Sequence, residues 1–131
     1  MTDPHRNVGL IERLLGAMTS GDVETIGQLQ ADDFTLTVAG HSTISGVFTG
    51  AEAAEQYRRS MELTAGQMQL SPQHVVADDQ VGAAFLLATA RRPDGREIEQ
   101  RLVHEFRFAD GKVASIHEWI WDQDADKTFW S

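Results

Sequence analysis

The sequence predicts an α+β fold in which three N-terminal helices pack on a strongly curved antiparallel sheet and enclose a pocket. Apolar residues in the first half recur at helical spacing. Those after Gly66 run through four long strand-like segments, and turn residues separate those segments. Helices first and strands afterwards is the segregated pattern, with helices covering one face of an antiparallel sheet. At 131 residues the whole chain, 1–131, is expected to be one domain. That length closes a single core burying about 65–70% of the surface of the unfolded chain.

Val8, Ile11, Leu14, Leu15 and Met18 line one face of a first helix, which Gly21 ends. Asp22 is placed to cap a second helix, with Glu24 in its first turn and Val23, Ile26 and Leu29 as its apolar stripe. Asp32-Asp33 closes it and opens a strand over 34–38, where Phe34, Leu36 and Val38 alternate with Thr35 and Thr37. Glycines 40, 46 and 50 mark a loop. Thr49 and Glu52 have the spacing of a capping box, opening a third helix to about Leu63 with Ala53, Ala54, Tyr57 and Met61 inward. A strand over 68–77 contains Pro72, which marks an edge or a bulge. Further strands are expected over 81–91, 96–108 and 112–122. A type I turn at Arg92-Pro93-Asp94-Gly95 and a hairpin turn at Asp110-Gly111 connect them. Residues 124–131 form a short tail holding Phe129 and Trp130.

Eleven Lys and Arg against twenty Asp and Glu leave a net charge of −9 and no basic patch. Such a chain repels phosphates and anionic headgroups, so nucleic acid and membrane surfaces are not expected partners. Cysteine is absent, which excludes disulfides, thiolate nucleophiles and Cys-based zinc sites. No apolar run approaches the roughly 18 residues of a membrane span, and the N-terminus lacks the order of a signal peptide. A cytoplasmic protein is the expectation.

The segment 96–108 splits cleanly into two faces. Ile98, Gln100, Leu102, His104, Phe106 and Phe108 form the apolar one, so Gln100 and His104 turn inward. A buried amide or imidazole needs a partner, since leaving it unpaired costs about 1–3 kcal/mol. Each is therefore satisfied within the core or lines a cavity. The last strand is apolar on both faces, and its register depends on the hairpin. A two-residue turn sets His117 opposite His104. A three-residue loop with a glycine bulge sets Ile116 there and Glu118 across from Leu102. Glu118 could equally pair with Arg101. His117-Glu118 lacks the second histidine of a helical zinc motif, so no metal site is expected. Trp119, Trp121 and Trp130 suit packing or an interface more than a substrate platform.

Four strings add a resemblance that covers nearly the whole chain. They are Gly21-Asp22-Val23-Glu24, Ser45-Gly46-Val47-Phe48-Thr49-Gly50, Phe106-Arg107-Phe108-Ala109-Asp110-Gly111-Lys112-Val113, and Trp121-Asp122-Gln123 followed by Phe129-Trp130. In this order they resemble the SnoaL-like branch of the NTF2-like superfamily. The resemblance implies a cystatin/NTF2-like cone, a fold that hosts isomerases, dehydratases, cyclases, epoxide hydrolases and non-catalytic binders. It also implies a functional carboxylate at Glu118, and hence the bulged register with Gln100, His104 and Glu118 in one cavity. A carboxylate among Leu102, Ile116 and Ile120 is stripped of water, which suits a general base. His104 would donate to a developing oxyanion or return the proton, and Gln100 would orient a carbonyl. Met18, Thr37, Tyr57, Phe85, Leu87, Leu102, Ile116 and Ile120 are the expected substrate-binding residues, with the Tyr57 hydroxyl reaching the cavity.

Departures from that family narrow the expectation. The Arg and Asp that epoxide hydrolases carry on the middle strand are matched here by Phe85 and Leu87. The first helix lacks the tyrosine of ketosteroid isomerases, and Leu36-Thr37 replaces a Trp-His pair common in SnoaL-like relatives. The resemblance therefore implies acid–base chemistry next to a carbonyl, without metal or organic cofactor. The substrate would be a small hydrophobic molecule such as a polyketide or terpenoid intermediate. The alternative is a non-catalytic binding or structural protein with the same cavity. A homodimer paired through the convex sheet face is expected in either case.

Overall fold

The computed structural model describes residues 5–131. Helix α1 (Arg6–Ser20) starts where the His5 ring accepts a hydrogen bond from the Asn7 N–H. It ends at Gly21, whose φ of 74° is a left-handed cap that glycine adopts without strain. Helix α2 (Val23–Leu29) is capped by Asp22 through the Thr25 N–H, as its sequence predicts. It runs directly into strand β1 (Gln30–Val38), which begins four residues earlier than expected. The loop after β1 contains an unpredicted strand, β2 (Gly46–Thr49), and then helix α3 (Ala51–Leu63).

The expected capping box at α3 does not form. Thr49 belongs to β2, where its hydroxyl faces that of Thr35 at 3.3 Å, and Gly50 holds the cap position at φ 59° with no side-chain cap. The remaining elements are β3 (Met68–Ala77), β4 (Val81–Arg91), β5 (Glu97–Ala109), β6 (Lys112–Ile120) and α4 (Gln123–Trp130). Helix α4 replaces the expected tail. Asp122 caps it through the Ala125 N–H, and Phe129 and Trp130 are buried on one side of it.

The strands form one sheet in the order β2-β1-β6-β5-β4-β3. It is antiparallel except for one pair, since β1 runs parallel to β6. The antiparallel expectation is corrected at that one pair: the first and last strands meet through a long crossover that carries β2, α3, β3, β4 and β5. Edge strand β3 shifts register between Pro72 and His74, the irregularity that proline predicts. The main core lies between α1 and the inner sheet face, with Ile11, Leu14 and Leu15 against Leu86, Phe106 and Ile116. Gly82 admits α1 at close range, since a Cβ there would lie 2.8 Å from Ile11 Cδ1. A second cluster of Ile44, Ala90, Phe129 and Trp130 seals the end of the sheet under α4. Among the described residues no helix is long and apolar enough to cross a membrane.

The β5–β6 hairpin corrects the expected register. Ala109 pairs with Lys112, so the turn has two residues. Asp110 and Gly111 both have positive φ, 52° and 77°, the backbone of a tight I′ turn. The extra residue comes two positions into β6. Phe108 pairs with Val113 but Arg107 pairs with Ser115, leaving Ala114 as the bulge. From there Phe106 faces Ile116, His104 faces Glu118 and Leu102 faces Ile120. Glu118 thus shares the inner face with His104, but opposite His104 and not opposite Leu102. The physical reason is the odd spacing of Val113 and Ile116. Both are buried, which strict alternation forbids and one bulged residue permits.

Candidate active site

A cavity of about 530 Å³ opens between α2, α3 and the concave face of the sheet. Its walls are mostly apolar and include Met18, Met61 and Met68, three of the chain's four methionines. Unbranched, polarisable side chains of this kind let a wall adapt to the shape of what it holds. Polar groups gather on one side: Gln100 and His104 from β5, Glu118 from β6 and Asp126 from α4.

His104 is 2% exposed, and neither Nδ1 nor Nε2 has a hydrogen-bond partner. Its Nε2 stands 3.7 Å from Glu118 Oε2, just beyond hydrogen-bond reach. Cross-strand pairing puts the two side chains side by side, and the Glu118 carbonyl accepts the Ala39 N–H, which anchors this part of β6. Gln100 is bound on both ends of its amide. Its Nε2 donates to Asp126 Oδ1 at 3.4 Å and its Oε1 accepts the Asp122 N–H at 3.2 Å. The amide that was expected to orient a ligand carbonyl therefore tethers α4 to β5.

Asp126 is the member that sequence reading missed. It is buried; Oδ1 accepts from Trp130 Nε1 at 3.1 Å and from Gln100, while Oδ2 has no hydrogen-bond partner. Burial pushes its carboxyl up to about 6, and the charge of Glu118 adds to the rise. The hydrogen-bonding side chains of Trp130, Ser42 and Gln100 oppose that shift without cancelling it. A signal existed in the sequence: Asp122 as a cap, followed by Asp126 and Trp130 four residues apart, is a helical pattern.

The family model for the SnoaL-like domain matches residues 11–116. The chain belongs to the SnoaL-like domain family. The match takes in Gln100 and His104 and stops before Glu118 and Asp126. This SnoaL-like chain is similar in structure to Bal32a from a soil-derived mobile gene cassette. The two are 27% identical with a TM-score of 0.90, over 95% of this chain and 96% of that one. It shares its fold with TerC co-crystallized with polyporic acid, at 19% identity and a TM-score of 0.83, over 95% and 98% of the two chains. The same holds for IdmH, a putative polyketide cyclase from Streptomyces antibioticus, at 20% identity and a TM-score of 0.74, over 87% and 91%. Among curated proteins none matches.

Within the SnoaL-like cavity, Met18, Tyr57, Leu102 and Ile116 are wall residues. The Tyr57 hydroxyl does not reach inward as a free group, because it donates to the Met18 carbonyl. Ile120 shares the inner face but packs in the core beyond Glu118 and does not line the cavity. Thr37, Phe85 and Leu87 are corrections. Strand β1 buries Phe34, Leu36 and Val38, which turns Thr37 to the outer face. Strand β4 buries Gly82, Ala84, Leu86 and Ala90, so Phe85, at 45% exposed, and Leu87 point away from the cavity. Bulk misled there: small residues face inward because α1 approaches closely at Gly82, and Ala88 and Ala90 line the cavity. The inner positions of β4 carry neither Arg nor Asp. His117 also lies on the outer face, stacked on Trp119 with ring centroids 4.0 Å apart. Arg58, the one Lys or Arg of the cavity wall among the described residues, is held by Glu55 and Glu62.

Proposed function

We propose that this SnoaL-like domain is a cofactor-independent acid–base enzyme, an isomerase, dehydratase or cyclase. Its substrate is a small hydrophobic carbonyl compound such as a polyketide or terpenoid intermediate. The observation that carries this is the pair of Glu118 and an unpartnered His104, 3.7 Å apart on the polar side of an apolar cavity. A buried imidazole without a partner costs about 1–3 kcal/mol, a deficit that a ligand oxygen in the cavity removes. The cavity volume lies within the range of small-molecule sites. Glu118 takes the proton from the carbon next to the carbonyl, and the His104 N–H meets the oxygen as charge develops on it. The fold shared with a putative polyketide cyclase and with a protein crystallised with polyporic acid supports this substrate class.

Deuterium uptake next to the carbonyl of β-tetralone, a compact apolar ketone, tests the reading. Wild-type protein is expected to accelerate the exchange. Glu118→Gln is expected to abolish about a hundredfold or more of that acceleration, with the melting temperature and β-tetralone binding retained. Binding without acceleration would mark a non-catalytic carrier. A Glu118→Gln protein that loses only stability would mark a structural carboxylate.

The domain acts as a homodimer in this proposal. Phe85, Val103 and Trp119 sit side by side across three strands of the outer face, with Phe85 45% and Trp119 49% exposed. Sedimentation at micromolar concentration should give twice the chain mass of 14.5 kDa. A particle of one chain mass refutes it.

A further inference from the structure

Resting on that reading, we propose that Asp126 is the acid that answers Glu118, so that the two carboxyls work as a pair carrying one proton between them. The geometry sets Asp126 apart from every other acid among the described residues. It is buried, lines the same cavity as Glu118 and His104, and leaves Oδ2 without a partner. Its Oδ1 is held from two elements, by Trp130 on α4 and Gln100 on β5, so the carboxyl is oriented and not free to turn away. Among the described residues no cation compensates it. Arg92 and Arg96 reach α4 but bind the carbonyls of Thr128, Phe129 and Ser131 at its far end. Lys127 and His41 are exposed, and Arg58 is paired on α3. The charged group that acts on it is Glu118, and two carboxylates sharing a site do not both ionise readily.

The pair then runs the chemistry without changing its total charge. Glu118 takes the proton from the substrate carbon, the C–H electron pair becomes a carbon–carbon π bond, and the carbonyl π pair moves to oxygen. The Asp126 proton passes to that oxygen, giving a neutral enol, a protonated Glu118 and an ionised Asp126. The single negative charge has moved from β6 to α4. In the return step the enol gives its proton back to Asp126, and Glu118 delivers its own to carbon. Delivery at a different carbon of a conjugated system makes the net reaction an isomerisation. Charge stays constant inside an apolar cavity, where a second carboxylate would be costly.

Two measurements decide the assignment, one of them without any ligand. In a carbon-13 side-chain carboxyl titration, Asp126 is expected to change protonation near pH 6. That midpoint should fall in the Glu118→Gln protein, where the neighbouring charge is gone. An Asp126 ionised throughout pH 5–7 overturns the proposal. In the β-tetralone exchange assay, Asp126→Asn, which keeps an oxygen for Trp130 and Gln100, is expected to be about a hundredfold slower than wild type. It should also lack the decline in rate above pH 6 that is expected of wild type, while its melting temperature does not drop. Wild type and Asp126→Asn exchanging equally, both faster than Glu118→Gln, removes the acid and leaves the base reading intact. Wild type no faster than Glu118→Gln removes the base reading, and the titration still decides whether the carboxyls share a proton.

Discussion

The inner and outer faces of the β5–β6 hairpin are made by alternate residues of the same two segments, yet they differ in kind. The inner face holds Leu102, His104 and Phe106 opposite Ile120, Glu118 and Ile116, all but Glu118 almost wholly buried. The outer face holds Val103 and Glu105 opposite Trp119 and His117, and both faces of β6 are apolar enough to be buried. What separates them is one unpaired residue, Ala114. The bulge selects which set of side chains meets α1 and the cavity, so a single backbone irregularity decides that Glu118 and not His117 stands beside His104.

Shifting the register beyond that irregularity should have the largest effect. Deleting the paired residue His117 turns Glu118 and Ile120 outward while Trp119 turns in, whereas deleting the unpaired Ala114 keeps Ile116, Glu118 and Ile120 inward. For the His117 deletion the expected loss exceeds about 5 kcal/mol, near the whole stability of a domain, and should appear as a missing cooperative melt and near-ultraviolet dichroism. A His117 deletion with an unchanged melt would mean that the register beyond the bulge does not divide the faces. One step smaller, Phe106→Ala on the inner face should cost about 3–5 kcal/mol in denaturant unfolding. Its outer neighbour Glu105→Ala should stay within about 0.5 kcal/mol, and equal costs would erase the distinction.

The pH dependence sharpens the comparison at the polar side of the inner face. Burial raises the Asp126 carboxyl from 3.8 to about 6, so the fold holds this proton more tightly than the unfolded chain does. Below about 4 both states are protonated and the contribution is fully present. It is lost as pH rises through about 6, by as much as about 3 kcal/mol. The opposite case, Asp94, is held down to about 2 by Arg96, so its contribution disappears only as pH falls below 4 and does not overlap this window. The difference in unfolding free energy between wild type and Asp126→Asn, followed from pH 4 to 7, should show the slope, and parallel curves would deny it. The smallest effect belongs to the outer face. Trp121 is 83% exposed, so Trp121→Ala should leave monomer stability within about 0.5 kcal/mol in dilute denaturant titrations.

Periodicity and turn chemistry were enough to lay out α1, α2, α3 and the four long strands, because those elements form from neighbours in the chain. Asp22 as a cap, Pro72 as a bulge and a turn at Asp110-Gly111 are local effects of the same kind, whereas the length of that turn and the place of the β6 bulge are not. The inward face of β5, with Gln100 and His104, was equally legible, since its two faces differ in polarity along their whole length. Strand β6 is apolar on both sides, and there the residues alone left Glu118 and His117 as rivals. The resemblance tipped the choice toward Glu118, and the bulge at Ala114 that puts it inside was set by the demand that Val113 and Ile116 both be buried. The same limit hid the small inner positions of β4, where close approach of α1 at Gly82, and not side-chain bulk, selects the face. It hid Asp126 too. A carboxyl eight residues beyond Glu118 reads as part of an acidic tail until α4 folds against β5 and brings it to the cavity. Local order follows from the chain's own neighbours, whereas the company a buried carboxyl keeps is decided only when distant segments exclude water together.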